Sequence, residues 1–346
     1  MRPSPLFTVL LFLANPWQAT GAVKVVTTLP VYASVVEKIG GERVEVAAIS
    51  RSGEDAHFVR PKPSFAVLLR DADLFVTTGL DLELWAPILI DKSGNRRIRR
   101  GENGYVSASQ GVPLLDIPSV IDRSAGDVHI YGNPHIANTP LNVKIIAANI
   151  SKGLARIDPP GASVYERNLE RFNQRLDEAI YGAELVKTLG SETLDSLARQ
   201  GRLIPFLQTQ ELEGKTLIDQ LGGWLAAAMP FRGQKIVAYH KNWIYFTELF
   251  GLEVVDYVEP KPGIPPSARH VHELLNEIRD QKVRVLLAAS YFDTRKVESV
   301  AERTGSRPVV LPLGPGGEGP SDYFSLVDFW VSELVAAFAE SQGGEG

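Results

Sequence analysis

The sequence contains no cysteine among its 346 residues. This absence excludes a disulfide framework, a thiolate metal site and a lipid anchor attached through cysteine. Any metal must therefore be held by nitrogen and oxygen atoms. The sequence also has no block of Lys and Arg, and its formal net charge is −5. This charge pattern argues against a nucleic-acid partner and weakly favours attraction of cations.

Long hydrophobic runs are absent except near the N-terminus. Residues 1–22 are predicted to be a secretory signal peptide, because Arg2 precedes the apolar run 6–13 and small residues at 20–22 suit cleavage. The run is too short to cross a bilayer, and no later segment is apolar for long enough to do so. The mature protein is therefore expected to be soluble outside the cytoplasm.

Motifs of nucleophilic catalysis and of nucleotide binding are missing as well. There is no Gly-x-Ser-x-Gly elbow, and no Walker-type or Gly-x-Gly-x-x-Gly loop follows a predicted strand. Residues 314–319 are rich in glycine, but Pro315 and their late position make them a poor phosphate cradle. The sequence therefore lacks the usual signatures of nucleophilic catalysis and of nucleotide binding.

The composition is that of a globular protein, with 44% hydrophobic and 22% charged residues over a length sufficient for about two domains. Runs of β-branched residues alternate with helical spacing, which predicts an α/β fold with two lobes, each a mainly parallel sheet flanked by helices. The predicted strands cover residues 23–28, 44–49, 74–79, 235–239, 252–258, 284–289 and 308–311. The predicted helices cover residues 29–39, 65–70, 140–150, 162–189, 243–250, 268–282, 294–304 and 323–339.

The longest helical pattern runs from Ala162 to about Leu189. A single helix of this length would extend about 40 Å and could join two lobes. The predicted organisation is therefore a signal peptide (1–22), an N-terminal α/β lobe (23–160), a long linking helix (161–190) and a C-terminal α/β lobe (191–346). Residues 92–132 are predicted to form an irregular surface connection, because they are rich in Gly, Asn, Arg and Ser.

Three of the six histidines, His57, His135 and His240, lie in loops at strand ends or ahead of helices. The first precedes the stiff sequence Pro61-Lys62-Pro63, after which Ser64 is predicted to cap a helix. Three imidazoles converging from such loops would suit Zn²⁺. Spacing alone leaves an equal alternative, in which these histidines are exposed or hydrogen-bonded, because no two of them form an H-x-H or H-x-x-x-H pair.

The remaining candidate residues have two interpretations each. His129 could be an extra ligand or a solvated loop residue. His270 and His272 are expected at a helix start or on the surface, since alternate positions do not share a helix face. Glu54 and Asp55 could act as a base beside a metal-bound water, as in a hydrolase, or could form a solvated turn.

Four segments carry a resemblance to a known family. They are His57 with the following Pro-x-Pro-Ser, residues 72–85 with Gly-Leu-x-x-Glu-x-Trp, Asn133-Pro134-His135 followed by Pro140, and His240 ahead of Trp243 and Phe246. Over nearly the whole mature chain, the sequence resembles the periplasmic metal-binding proteins of zinc and manganese ABC importers.

The resemblance implies two α/β lobes joined by one long helix, with a metal ion in the cleft held by His57, His135 and His240. It further implies a monomeric periplasmic protein, not an enzyme, that delivers the ion to a membrane permease with its ATPase. Members with histidine at the third position tend to bind zinc, and manganese members tend to carry a carboxylate there. His240 therefore favours Zn²⁺ over Mn²⁺ as the transported ion.

The sequence departs from the family pattern at several positions. Ala137 and Thr139 stand where the second motif usually has tryptophan and aspartate, and Leu311 or Pro312 replaces an aspartate ligand near the last strand. The fourth ligand is then expected to be water or a nearby carboxylate such as Asp322. Three other functions remain open: a zinc-dependent hydrolase, a manganese- or iron-binding member of the same family, and a metal-dependent adhesin.

Overall fold

Two parallel β-sheets form the framework of the chain. The computed structural model describes residues 21–118, 129–259 and 267–342, so the predicted signal peptide lies outside the described residues except for its last two positions. The strands are β1 (Val23–Thr27), β2 (Val44–Ala48), β3 (Leu74–Thr77), β4 (Tyr105–Ser107), β5 (Glu211–Leu212), β6 (Lys215–Thr216), β7 (Lys235–Ala238), β8 (Glu253–Tyr257), β9 (Val285–Ala289) and β10 (Arg307–Leu311).

The strand order is β2-β1-β3-β4 in the first sheet and β10-β9-β7-β8 in the second, and β5 and β6 form a separate antiparallel hairpin. Every neighbouring pair within the two larger sheets is parallel. The internal strands β3 and β9 are buried along their whole length, as expected of apolar strands covered on both faces. These two sheets confirm the predicted α/β class.

Helices cover the sheets and connect their strands. They are α1 (Pro30–Gly40), α2 (Pro63–Arg70), α3 (Ala86–Ser93), α4 (Pro140–Ile157), α5 (Ala162–Tyr181), α6 (Ala183–Leu189), α7 (Ser191–Arg199), α8 (Leu203–Thr209), α9 (Gly223–Ala227), α10 (Ile244–Phe250), α11 (Ala268–Asp280), α12 (Thr294–Thr304) and α13 (Tyr323–Gln342). Within the described ranges, none of them combines the length and apolar character needed to cross a membrane.

The single helix predicted for residues 161–190 is wrong in one respect, because it is divided into α5 and α6 at Gly182. Gly182 has φ +83°, and a Cβ atom there would lie 2.6 Å from the Cα atom of Gly222. The backbone N–H of Gly222 also donates to the carbonyl of Tyr181 at 2.8 Å. This close backbone approach ends α5, which at about 1.5 Å per residue is roughly 30 Å long instead of 40 Å.

Helix α5 nevertheless contacts both lobes, since it packs against α1 and α4 on one side and against α9 on the other. The first residue of α13 adds a second connection between the lobes. The backbone N–H of Tyr323 donates to Oγ of Ser34 at 3.0 Å, and its phenol donates to the carbonyl of Ala137 at 3.2 Å. The two sheets are thus joined by packed helices.

Two local predictions differ from the structure. Helix α2 begins at Pro63, with Lys62 as the N-cap residue, so Ser64 is not the cap. The fixed φ of proline suits the first helical position, which explains the earlier start. In the segment predicted to be irregular, Tyr105–Ser107 forms β4 beside β3. A strand of three residues is too short to be recognised from its sequence pattern.

Candidate metal centre

His57 lies in a short turn that follows β2 and is held from two sides. Oδ1 of Asp55 accepts hydrogen bonds from the backbone N–H of His57 at 3.0 Å and from its Nδ1 at 2.7 Å. The indole N–H of Trp85 donates to the carbonyl of Ala56 at 2.7 Å. Because Nδ1 donates to a carboxylate, the neutral imidazole carries its free electron pair on Nε2. The turn therefore leaves Nε2 as the ring nitrogen able to bind a metal ion.

The segment that contains Trp85 is fixed by a buried carboxylate. Oε1 of Glu83 accepts from the hydroxyl of Thr28 at 2.6 Å, from the hydroxyl of Thr78 at 2.7 Å and from the backbone N–H of Thr78 at 3.0 Å. Thr28 and Thr78 directly follow β1 and β3. These bonds tie the Trp85 segment to the carboxyl ends of two strands, and through Trp85 they position the His57 turn.

His135 precedes α4 and is oriented by the asparagine of its own motif. Oδ1 of Asn133 accepts from the backbone N–H of His135 at 3.0 Å, and Nδ2 of Asn133 donates to the carbonyl of Lys241 at 2.8 Å. The phenol of Tyr245 donates to the carbonyl of Asn133 at 2.7 Å. Asn133 therefore links the loop that carries His135 to the residue that follows His240.

His240 follows β7, which lies where the strand order of the second sheet reverses, a common ligand position in open α/β sheets. The neighbouring Asn242 donates through Nδ2 to the hydroxyl of Tyr291 at 2.8 Å and lies 3.2 Å from Nε2 of His135. The buried Nδ1 of His240 lies 3.5 Å from Oε2 of Glu259. A carboxylate at this distance can orient the ring without occupying its other nitrogen.

The structure brings all three predicted histidines into one cluster, together with His129. The ring centroids of His57 and His135 are 5.3 Å apart, and that of His240 lies 6.3 Å and 6.1 Å from them. The tightest group of ligand atoms among the described residues comprises His57, His129 and His135, whose atoms lie within 4.8 Å of one another. His240 faces this group from the second lobe.

Burial of His135 and His240 favours their neutral imidazoles, which are the form that binds metal ions. Burial lowers the pKa of His135 well below its usual value, and the positive charge of neighbouring histidines lowers this pKa further. Burial also lowers the pKa of His240 to about 4, with an additional contribution from His57. Near pH 7 both rings are therefore neutral.

The metal-free protein is expected to lose stability as the pH falls from 7 to 5. In this range His135 and His240 take up protons in the unfolded chain, where their pKa is near the usual value, but remain neutral in the folded protein. The unfolded state then binds more protons, so the free energy of unfolding decreases by up to about 1.4 kcal/mol per pH unit for each histidine. Urea unfolding of chelator-treated protein measures this slope.

The variant His240→Asn provides the control for this pH dependence, because it removes one of the two protonation sites. Its slope between pH 7 and pH 5 is expected to be smaller than that of the wild-type chain. A wild-type stability that does not change over this range would contradict the prediction.

The other predicted candidates have different roles in the structure. Oε2 of Glu54 accepts from the backbone N–H of Arg51 at 3.2 Å. Asp322 accepts from the backbone N–H of Ser325 at 2.9 Å and forms an ion pair with Lys38 at 3.0 Å, so both of its carboxylate oxygens are engaged. Neither acid belongs to the tight group of ligand atoms.

The two histidines of α11 are also outside this group. The side chain of His270 contacts the carbonyl of Tyr257 at 2.8 Å, and the exposed His272 lies 3.4 Å from Asn276. Leu311, one of the two residues expected in place of the family's aspartate, is fully buried in the hydrophobic core.

Together, the fold and the histidine cluster define a two-lobed α/β protein with a candidate metal centre at the strand ends between its lobes. The profile of the family described as zinc-uptake complex component A, periplasmic, matches residues 25–184 and 214–337. The chain therefore belongs to this family of metal-binding solute receptors of ABC importers, whose members are not enzymes.

Relatives of this chain are named for different metals. It is 24% identical to the iron-binding protein YfeA of Yersinia pestis, across 98% of this chain and 97% of the relative. It is 23% identical to the manganese ABC transporter substrate-binding lipoprotein PsaA of Streptococcus pneumoniae, across 91% and 88%. A crystal structure of a zinc-bound ZnuA deletion mutant is similar with a TM-score of 0.65 and 23% identity, over 92% of this chain and 98% of that one.

Proposed function

We propose that this chain is the periplasmic receptor of a zinc ABC importer. It captures Zn²⁺ between its lobes with His57, His135 and His240 and, as a monomer, delivers the ion to a membrane permease that works with an ATPase. No chemical bond of a substrate is made or broken. The observation that carries this proposal is the convergence of imidazoles from both lobes at the carboxyl ends of parallel strands.

The donor set supports zinc over the other metals for which relatives are named. Imidazole nitrogen binds Zn²⁺ well, whereas Mn²⁺ prefers carboxylate and carbonyl oxygen. Asp55 lies beside Nδ1 of His57, and Glu259 lies beside Nδ1 of His240. Carboxylates commonly orient metal-binding imidazoles in this way. The same arrangement disfavours a hydrolase, because Oδ1 of Asp55 is already shared by two N–H groups of His57.

Calorimetric titration of chelator-stripped protein with Zn²⁺, Mn²⁺ and anaerobic Fe²⁺ tests the proposal. We expect one high-affinity site, with Zn²⁺ bound more tightly than the other two ions. The reason is that the affinity of nitrogen ligands for these ions increases in the order Mn²⁺ < Fe²⁺ < Zn²⁺. If Mn²⁺ or Fe²⁺ binds more tightly than Zn²⁺, the transported ion is that metal and not zinc. If none of the three ions binds, the receptor function is overturned.

A further inference from the structure

The position of His129 is not explained by the three-histidine site. Its Nε2 lies 3.1 Å from Nε2 of His57, and the centroids of these two rings are 5.1 Å apart. Its ring centroid is 6.4 Å from that of His135. The two contacting residues, His57 and His129, are 72 positions apart in the sequence. The contact is therefore a product of the tertiary fold, and it places a fourth imidazole at the candidate centre.

The segment that carries His129 is anchored at its C-terminal end. Gly132 has φ +115°, and a Cβ atom there would lie 3.1 Å from Cβ of Leu114 and from the carbonyl oxygen of Leu115. The next residue, Asn133, donates its backbone N–H to the carbonyl of Leu115 at 2.8 Å. The backbone N–H of Gly132 donates to the carbonyl of His129 at 3.1 Å, which closes a turn. The turn holds His129 within reach of the cluster.

The distance between the two Nε2 atoms fits a shared metal ion. Two nitrogen ligands at about 2.0 to 2.1 Å from a tetrahedral Zn²⁺ are about 3.3 Å from each other. Because Asp55 occupies Nδ1 of His57, the electron pair on Nε2 points towards His129. Without metal, the pair of rings can share a proton in an N–H···N hydrogen bond. A zinc ion bound by both nitrogens would take the place of that proton.

The carboxylates around the cluster do not offer an equivalent fourth ligand. Asp55 is hydrogen-bonded to His57, and Glu259 lies beside Nδ1 of His240. Asp322 is engaged by Ser325 and Lys38, and Leu311 is an apolar residue of the core. Among the described residues, His129 is the side chain that joins His57 and His135 in the tightest group of ligand atoms.

We propose that His129 is the fourth ligand of the centre and takes the place of a carboxylate, so that Zn²⁺ is held by four imidazole nitrogens. This inference rests on the proposed function and names the residue that would make the site select Zn²⁺ over Mn²⁺. A donor set made only of nitrogen satisfies the preference of Zn²⁺ for four ligands and gives Mn²⁺ none of the oxygen ligands that it prefers. His129 would therefore increase the discrimination between the two ions.

Two variants at this position, with a matched control, test the inference by calorimetry. For His129→Ala we expect Zn²⁺ affinity to fall at least about tenfold, the lower end of the change seen when even an outer partner of a ligand is lost. For His129→Asp we expect the ratio of Zn²⁺ to Mn²⁺ affinity to decrease, because an oxygen ligand replaces nitrogen. The control His272→Ala, an exposed histidine outside the cluster, should bind as the wild type does.

X-ray absorption at the zinc edge gives an independent count of the ligands. We expect four imidazoles around Zn²⁺ in the wild-type chain and three in His129→Ala. Unchanged zinc affinity in His129→Ala, together with an unchanged imidazole count, would overturn the role of His129. If His57→Ala nevertheless loses zinc affinity, the receptor function stands without His129 as a ligand. If the wild-type chain binds no zinc, the proposed function itself fails.

Discussion

The variant His135→Ala is expected to lose at least about 100-fold in zinc affinity. Substitution of an outer partner of a metal ligand costs about 10- to 100-fold, so removal of a ligand itself should cost at least the upper end of that range. The ring centroid of His135 lies 5.3 Å from that of His57 and 6.1 Å from that of His240. It is also buried, so solvent does not readily provide a replacement ligand in the same position. Competition titration with a zinc chelator of known affinity measures the loss.

Controls for this experiment separate loss of a ligand from loss of the fold. His272→Ala removes an exposed histidine of α11 and is expected to leave affinity unchanged. Far-ultraviolet circular dichroism of His135→Ala should match that of the wild-type chain. His57→Ala and His240→Ala are expected to weaken binding strongly too, since each supplies a ring from a different loop. Wild-type affinity in His135→Ala would contradict the three-histidine site, and wild-type affinity in His240→Ala would remove the second lobe from it.

Zinc is expected to stabilise the folded protein by about 2.7 kcal/mol at a free concentration 100 times the dissociation constant, and by about 4.1 kcal/mol at 1,000 times. The reason is that the proposed ligands come from distant parts of the chain and meet only in the folded state. They are His57, His135 and His240. Thermal unfolding with and without Zn²⁺ should therefore differ by several degrees. Addition of EDTA should return the transition to that of the metal-free protein.

The stabilisation by zinc has its own control, because it requires an intact site. In His135→Ala the difference between zinc-loaded and zinc-free transitions should largely disappear at the same zinc concentration. An equal rise in the transition temperature of wild type and variant would mean that zinc binds elsewhere on the surface, and it would contradict the proposed centre.

The local predictions were most accurate where a short sequence pattern determines the backbone. Alternation of β-branched strands with helices predicted the two parallel sheets, and the helix predicted for residues 140–150 begins at Pro140, as α4 does. The break at Gly182 was missed, because helical periodicity continues across it and the cause is the backbone of Gly222, 40 positions away in the chain. A pattern within one segment contains no information about such a distant contact.

The residues that position the ligands were only partly visible in the sequence. Glu83 and Trp85 belong to a recognised segment, but their bonds to Thr28 and Ala56 depend on how β1, β3 and the His57 turn meet. Asn242 could have been noticed as a neighbour of His240. Its contacts with His135 and Tyr291, however, join three separate loops.

By itself, the sequence determined the α/β class, the exclusion of thiolate ligands and the choice of His57, His135 and His240 as candidates. These features follow from composition, periodicity and motifs, which are properties of single segments. The tertiary structure alone decided that His129 lies beside His57 and that Leu311 and Asp322 do not contribute to the tight group of ligand atoms. The physical reason is that convergence of side chains depends on the packing of sheets, helices and loops that are remote in the chain, and no local pattern encodes those distances.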